Sequence, residues 1–174
     1  KEAVHDVSFE VKKGETIAIV GESGCGKTIS TMSILQLLPE TAKITSGEII
    51  FQGENLLNFT EKNMQKIRGK KIALIPQDPM TSLNPLYTIG NQLLEVITLH
   101  QGLSGDEAFN IAVKSLERVG IPDAKEKMKA YPHEFSGGMK QRIIIAMALA
   151  SNAELIIADE PTTALDVTIQ KQIM

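Results

Sequence analysis

The stretch Thr16-Ile-Ala-Ile-Val-Gly-Glu-Ser-Gly-Cys-Gly-Lys-Thr28 decides the fold of this 174-residue chain. After Thr16 it is continuously apolar to Val20, as expected of a strand buried on both faces. Gly21 to Thr28 then matches the phosphate-loop pattern GxxxxGK[ST]. The glycines let backbone N–H groups turn inward around phosphate oxygens. In that pattern Lys27 reaches the β- and γ-phosphates and Thr28 offers its hydroxyl to Mg²⁺. A helix follows to about Leu38, stopped by Pro39, with its positive end toward the anion. Strand, loop and helix in this order predict an α/β fold that binds a nucleoside triphosphate. The expected contacts are Gly21, Glu22, Ser23, Gly24, Cys25, Gly26, Lys27 and Thr28.

Outward from the loop, Val4, Val7, Phe9 and Val11 read as an opening strand, and Lys12 to Glu15 as a turn. Gly47 to Gln52 reads as another strand, Thr60 as the cap of a short helix, and Lys71 to Ile75 as a strand. From Pro76 the pattern turns helical. One helix is expected from Ile89 to His100. Another follows Ser104, which with Glu107 fits a capping box. Ala108, Ile111, Ala112, Leu116 and Val119 share its apolar face, and Gly120 with Pro122 closes it. A third helix starts near Ser136. Leu155 to Ala158 is a short buried strand. The expected organisation is an α/β core with an antiparallel β part at 1–78 and 151–174, and a helical insert at 79–150.

Two further motifs carry chemistry. Leu155-Ile-Ile-Ala-Asp-Glu160 delivers Asp159 at the C-terminal edge of a strand, where ligands bind in open α/β sheets. Asp159 is placed to hold Mg²⁺ through water. Glu160, one residue on, is placed to polarise an attacking water as general base. In Phe135-Ser-Gly-Gly-Met139, Ser136 caps the next helix, and Gly137 and Gly138 let the backbone approach an anion closely.

Composition sets the outer limits. The chain is 43% hydrophobic and 22% charged, enough apolar material for a sizeable core. A net charge of -3 gives no basic face for nucleic acid. The longest apolar run, Ile143 to Ala150, falls far short of the ~20 residues of a membrane span. A single cysteine, Cys25, excludes an internal disulfide and fits a reducing compartment. Cys25 occupies a variable position of the loop, where the plain reading is that it fills space and the competing expectation is alkylation that bound nucleotide blocks. His5, His100 and His133 are scattered without a metal spacing. Lys125, Lys127 and Lys129 read as a solvated face. The chain opens in a strand-like pattern and stops inside a helical one, so it reads as a piece of a longer protein.

The loop, Gln77, FSGGM, LIIADE and Thr163-Ala-Leu-Asp166 together resemble, in order and spacing, the nucleotide-binding subunits of ABC transporters. QDPMTSLNPLYTIG, YPHEFSGGMKQR and ADEPTTALDVTIQ are similar to the oligopeptide and dipeptide importer ATPases, a branch that also contains nickel importers. Met139 and Phe135 depart from the usual LSGGQ pattern. Pro76 stands where a bulky apolar residue is expected.

The resemblance implies a P-loop NTPase with a RecA-like core that hydrolyses ATP with Mg²⁺. It implies two domains packed head to tail, as a homo- or heterodimer. Ser136, Gly137 and Gly138 would contact the γ-phosphate bound at the opposite subunit's loop, and Asp166 would cross the interface. Gln77 would sit by Mg²⁺ and the attacking water, and link that site to the helical insert. The insert would receive a coupling helix from transmembrane permease subunits. A periplasmic or lipoprotein solute-binding protein would act indirectly. The subunit would sit at the cytoplasmic face of the cell membrane and drive peptide uptake. A soluble ABC ATPase working on DNA or ribosomes is the competing class. Its large coiled-coil, zinc or basic insertions do not appear between Gln77 and Phe135. A regulatory module without catalysis is opposed by Lys27, Asp159 and Glu160. The 174 residues alone are expected to fold weakly and hydrolyse little, because missing sheet strands would expose apolar surface.

Overall fold

The computed structural model describes residues 3–161 and divides into two compact units, Lys1–Gln65 and Lys66–Met174. Asp166 lies outside the described residues.

In the first unit, the loop leads into α1 (Lys27–Ile34). This helix ends earlier than Pro39 alone requires. Leu35 is its C-cap and Gln36 takes a left-handed φ of 52°. Leu37 N–H bonds Met32 O at 3.0 Å and Gln36 N–H bonds Ser33 O at 3.1 Å. That pair of bonds is a Schellman closure, which satisfies the last carbonyls without proline. Further on, β1 (Ile50–Phe51) and β2 (Glu54–Asn55) form an antiparallel hairpin, turned by Gln52 and Gly53 at positive φ. The side chain of Asn55 accepts from Leu57 N–H and starts a single 3₁₀ turn. α2 (Glu61–Ile67) follows Thr60 as expected.

The opening segments differ from the sequence expectation. Val7, Phe9, Val11 and Thr16 to Val20 belong to no strand among the described residues. Ile17, Ile19 and Val20 are exposed, Val20 at 92%. A continuous apolar run says that both faces want cover. It does not supply the neighbours whose ladder bonds make a strand.

The second unit holds the main core. β3 (Ile72–Ile75) and β4 (Leu155–Ala158) pair in parallel, with Ile72 opposite Leu155 and Ile75 opposite Ala158. β3 is nearly all buried, whereas β4 buries Ile157 and leaves Ile156 38% exposed. The expected buried strand is therefore covered on one face only.

Helices α3 (Ile89–Gln101), α4 (Gly105–Arg118) and α6 (Gly137–Ala150) pack on one another, and α6 also packs on β3. Ile89, Leu93 and Ile97 recur every fourth residue on α3 and are fully buried. Ala108, Ala112 and Leu116 do the same on α4. The 3.6-residue period of the helix puts each set on one stripe. Burying each large side chain contributes about 1.5–3 kcal/mol. Thr88 caps α3 by accepting from Asn91 N–H, and Gly102 ends it at φ 73°. Ser104 is the N-cap of α4, but its side chain makes no cap bond, so the expected capping box does not form.

The Lys125–Lys129 region contains a one-turn helix, α5 (Ala124–Lys127). It is not simply a solvated face, because the Lys127 ammonium lies over the Phe135 ring, 5.5 Å from its centroid. No helix among the described residues is long and apolar enough to cross a membrane.

Candidate functional site

In the first unit, the loop bends through two glycines in the left-handed region, Gly24 at φ 81° and Gly26 at φ 100°. Gly26 is the N-cap of α1, and a Cβ there would lie 2.8 Å from Val4 Cγ2 and 3.1 Å from Ala3 O. Both its conformation and its neighbours thus demand glycine. A Cβ on Gly21 would lie 2.6 Å from Cys25 Sγ, so the cysteine packs directly over that glycine.

Lys27 Nζ donates to Gly21 O at 2.8 Å and Glu22 O at 3.0 Å. Its ammonium is therefore held inside the curve of the loop. The first turn of α1 contains no acidic residue. A cation within the curve and a helix N-terminus whose first turn carries no carboxylate suit a polyanion. Thr28, in the first turn of α1, is exposed and presents a hydroxyl of the type that binds a phosphate-bound Mg²⁺. No group of three His, Cys, Asp or Glu side chains among the described residues forms a metal cage.

In the second unit, the parallel pairing of β3 and β4 continues past the strands. Asp159 N–H donates to Ile75 O at 2.9 Å. Asp159 is buried at 5% exposure, and the chain turns sharply at Glu160, whose φ is 48°. This turn brings Glu160 to Gln77, two residues beyond β3. Gln77 Nε2 donates to Glu160 Oε2 at 2.8 Å. Two residues 83 apart in sequence thus meet because their strands are in register.

Ser136 caps α6 by accepting from Met139 N–H at 3.3 Å. Gly137 and Gly138 are the first two residues of that helix. A Cβ on Gly137 would meet nothing within 4 Å, so this chain's own packing does not require glycine there. Phe135 is buried in the core and fixes the start of α6 from below. Tyr131 and His133 stack with ring centroids 5.8 Å apart, which gives His133 a packing role.

Two glutamines were not legible as special. Gln92 is buried on α3, accepts from Asn84 N–H, and donates to Asn84 O and Tyr87 O. It ties down the 84–87 turn. Gln141 is buried on α6 and donates to Pro161 O at 3.0 Å. A polar residue interrupting an apolar helix stripe is the available signal for both.

A match to the family described as ABC transporter spans residues 4–163. The chain is 55% identical to the probable peptide ABC transporter ATP-binding protein y4tR of Sinorhizobium fredii, over 99% of this chain and 52% of that protein. It is 53% identical to the oligopeptide transport ATP-binding protein OppD of Bacillus subtilis, over 99% of this chain and 49% of that protein. It is 54% identical to the dipeptide transport ATP-binding protein DppD of Bacillus subtilis, over 99% and 52%. Among solved structures, the ATP-binding cassette MJ0796, dimeric in a post-hydrolysis state with ADP and Pi, matches at a TM-score of 0.87 and 31% identity. That match covers 98% of this chain and 71% of the cassette.

The chain belongs to the ABC transporter family, and its fold is that of the ABC ATPase cassette. It spans about half the length of these curated relatives.

Proposed function

We propose that this chain is the nucleotide-hydrolysing part of the ATP-binding subunit of an ABC importer for oligopeptides or dipeptides. The observation that carries this reading is 53–55% identity, over 99% of the chain, to relatives named as peptide-transport ATP-binding proteins.

The roles follow from residue chemistry. Lys27 neutralises charge on the β- and γ-phosphates, and the loop N–H groups orient them. The resemblance assigns Thr28, Asp159 and Gln77 to Mg²⁺, which when bound would offset charge on the phosphate oxygens. Glu160 takes a proton from the attacking water, with Gln77 fixing the carboxylate. Ser136, Gly137 and Gly138 present the N-terminus of α6 to a γ-phosphate held by a second cassette. The openness of Gly137 and the dimeric state of the MJ0796 cassette support that arrangement. Asp166 is assigned to the same interface.

Residues 1–78 and 151–174 are assigned to the core, and 79–150 to the helical part that meets the permease. Leu86 is 80% exposed, and its neighbours Asn84 and Tyr87 line a cavity of about 480 Å³ together with Asn91, Gln92, Glu95, Val96 and Met147. A concave surface of mixed polar and apolar character, with Leu86 exposed next to Tyr87 in its wall, suits a short amphipathic helix of a permease at the cytoplasmic face of the membrane. A solute-binding protein delivers the peptide on the other side.

The test is Glu160→Gln in the complete protein with its partners. ATP binding should persist while turnover falls at least about a hundredfold, the range of a lost general base. Near-normal turnover sinks the assignment.

A further inference from the structure

We infer that Gln141 is a positioning residue for ATP hydrolysis, one that sets the Glu160 turn according to the position of the N-terminus of α6. The inference rests on the proposed function.

Gln141 is 1% exposed and lies one turn into α6 from Ser136, Gly137 and Gly138. Its Nε2 donates to Pro161 O at 3.0 Å. Its Oε1 is buried and meets no hydrogen-bond partner among the described residues. The amide orientation is not arbitrary, because the reverse would set two carbonyl oxygens against each other. Proline has no N–H, so this carbonyl is the only backbone polar group through which Pro161 can be held.

For stability alone, this is a poor use of a buried position. An orphaned buried acceptor costs more than one neutral hydrogen bond returns. An apolar side chain of the same length would avoid that cost. Gln92 shows the contrast, since both its amide oxygen and its nitrogen are engaged.

The single bond Gln141 makes falls at a telling place. Pro161 follows Glu160, whose left-handed φ of 48° is unfavourable for a side-chain-bearing residue and must be imposed by its surroundings. Gln77 holds the Glu160 carboxylate, and Gln141 holds the carbonyl of the next residue. A helix is stiff over a single turn. A shift of Ser136 to Gly138 along the axis of α6 therefore carries Gln141 with it and re-aims Glu160. The phosphate-facing end of α6 and the general base are in this way mechanically linked within one chain.

The test compares the complete wild-type protein, with its partners, against Gln141→Met. Melting temperature should be unchanged or higher and the KM for ATP unchanged, while kcat falls about ten- to a hundredfold, as expected when a reacting group is slightly misplaced. Unchanged kcat overturns the inference, as does a parallel loss of KM, kcat and melting temperature. If Gln141→Met does not fold, Gln141→Asn is read by the same split. Loss of the fold in both marks a structural residue and also overturns it. A wild type without turnover overturns the proposed function itself, and the inference with it, and so is told apart from a failure of Gln141 alone.

Discussion

Gln77 donates a 2.8 Å hydrogen bond from Nε2 to the carboxylate of Glu160, joining the segments that leave two paired parallel strands. The register of β3 and β4 is what makes the contact possible. Ile75 sits opposite Ala158, so residues two places beyond each strand end emerge side by side.

Replacing Gln77 with Ala removes the amide that fixes the Glu160 carboxylate. In the complete protein, kcat should fall about tenfold or more, with a smaller loss of ATP affinity from the missing Mg²⁺ ligand, since the base remains but is no longer held. Steady-state hydrolysis alongside equilibrium nucleotide binding separates the two. Equal losses in both would mean that Gln77 serves binding rather than positioning.

Lys27→Ala should act in the opposite sense. It removes the cation held inside the loop, so ATP affinity should drop about ten- to a hundredfold, the worth of a charge-assisted bond. Titration calorimetry reads this directly. The fold should be little affected, because among the described residues the lysine side chain bonds only to carbonyls of its own exposed loop. Undiminished affinity would remove the loop from the nucleotide site.

Gly90 lies in the first turn of α3, and its N–H donates to Met128 O at 2.8 Å. A Cβ there would come within 2.5 Å of that same oxygen. Gly90→Ala should therefore destabilise the helical part by about 1–3 kcal/mol, as overpacking does. Denaturant unfolding monitored by circular dichroism checks this. A neutral outcome would mean that the 128–130 segment moves freely.

His100, near the end of α3, has its pKa lowered from the ordinary 6.5, first by burial and then by the positive charge of Lys70. The unfolded chain consequently binds the proton more readily than the folded one. Stability from the neutral imidazole is present above pH 6.5 and is lost as pH falls through the lower folded value. His100→Phe should make the decline of melting temperature between about pH 7 and 5 shallower. An unaltered slope would mean that other groups govern the acid limb.

Much of the site was legible before the structure. Gly21 to Thr28 declares itself because phosphate binding restricts both backbone and side chain within eight residues. Asp159 and Glu160 are visible as acids at the end of an apolar run. Helix α3 is visible through the turn signals before it, α4 through its apolar face, and α6 through Ser136. The contact of Gln77 with Glu160 was beyond reach, because it spans 83 residues and depends on register. So was the burial of Gln92 and Gln141, since a polar residue on an apolar stripe does not announce its partner. The opening strands were read where none is paired among the described residues, because hydrophobicity states a need for cover and not its source.

The sequence by itself determined local chemistry: a loop that turns only with glycine at 24 and 26, a lysine to meet phosphate, and helix stripes set by a 3.6-residue period. Tertiary structure alone decided which distant groups act together. The parallel pairing of Ile75 with Ala158 delivers Glu160 to Gln77, and the packing of α6 on β3 delivers Gln141 to Pro161. The reason is physical. Local patterns arise from covalent geometry and short-range sterics. Register and packing arise from the summed fit of many weak contacts, which no single stretch contains.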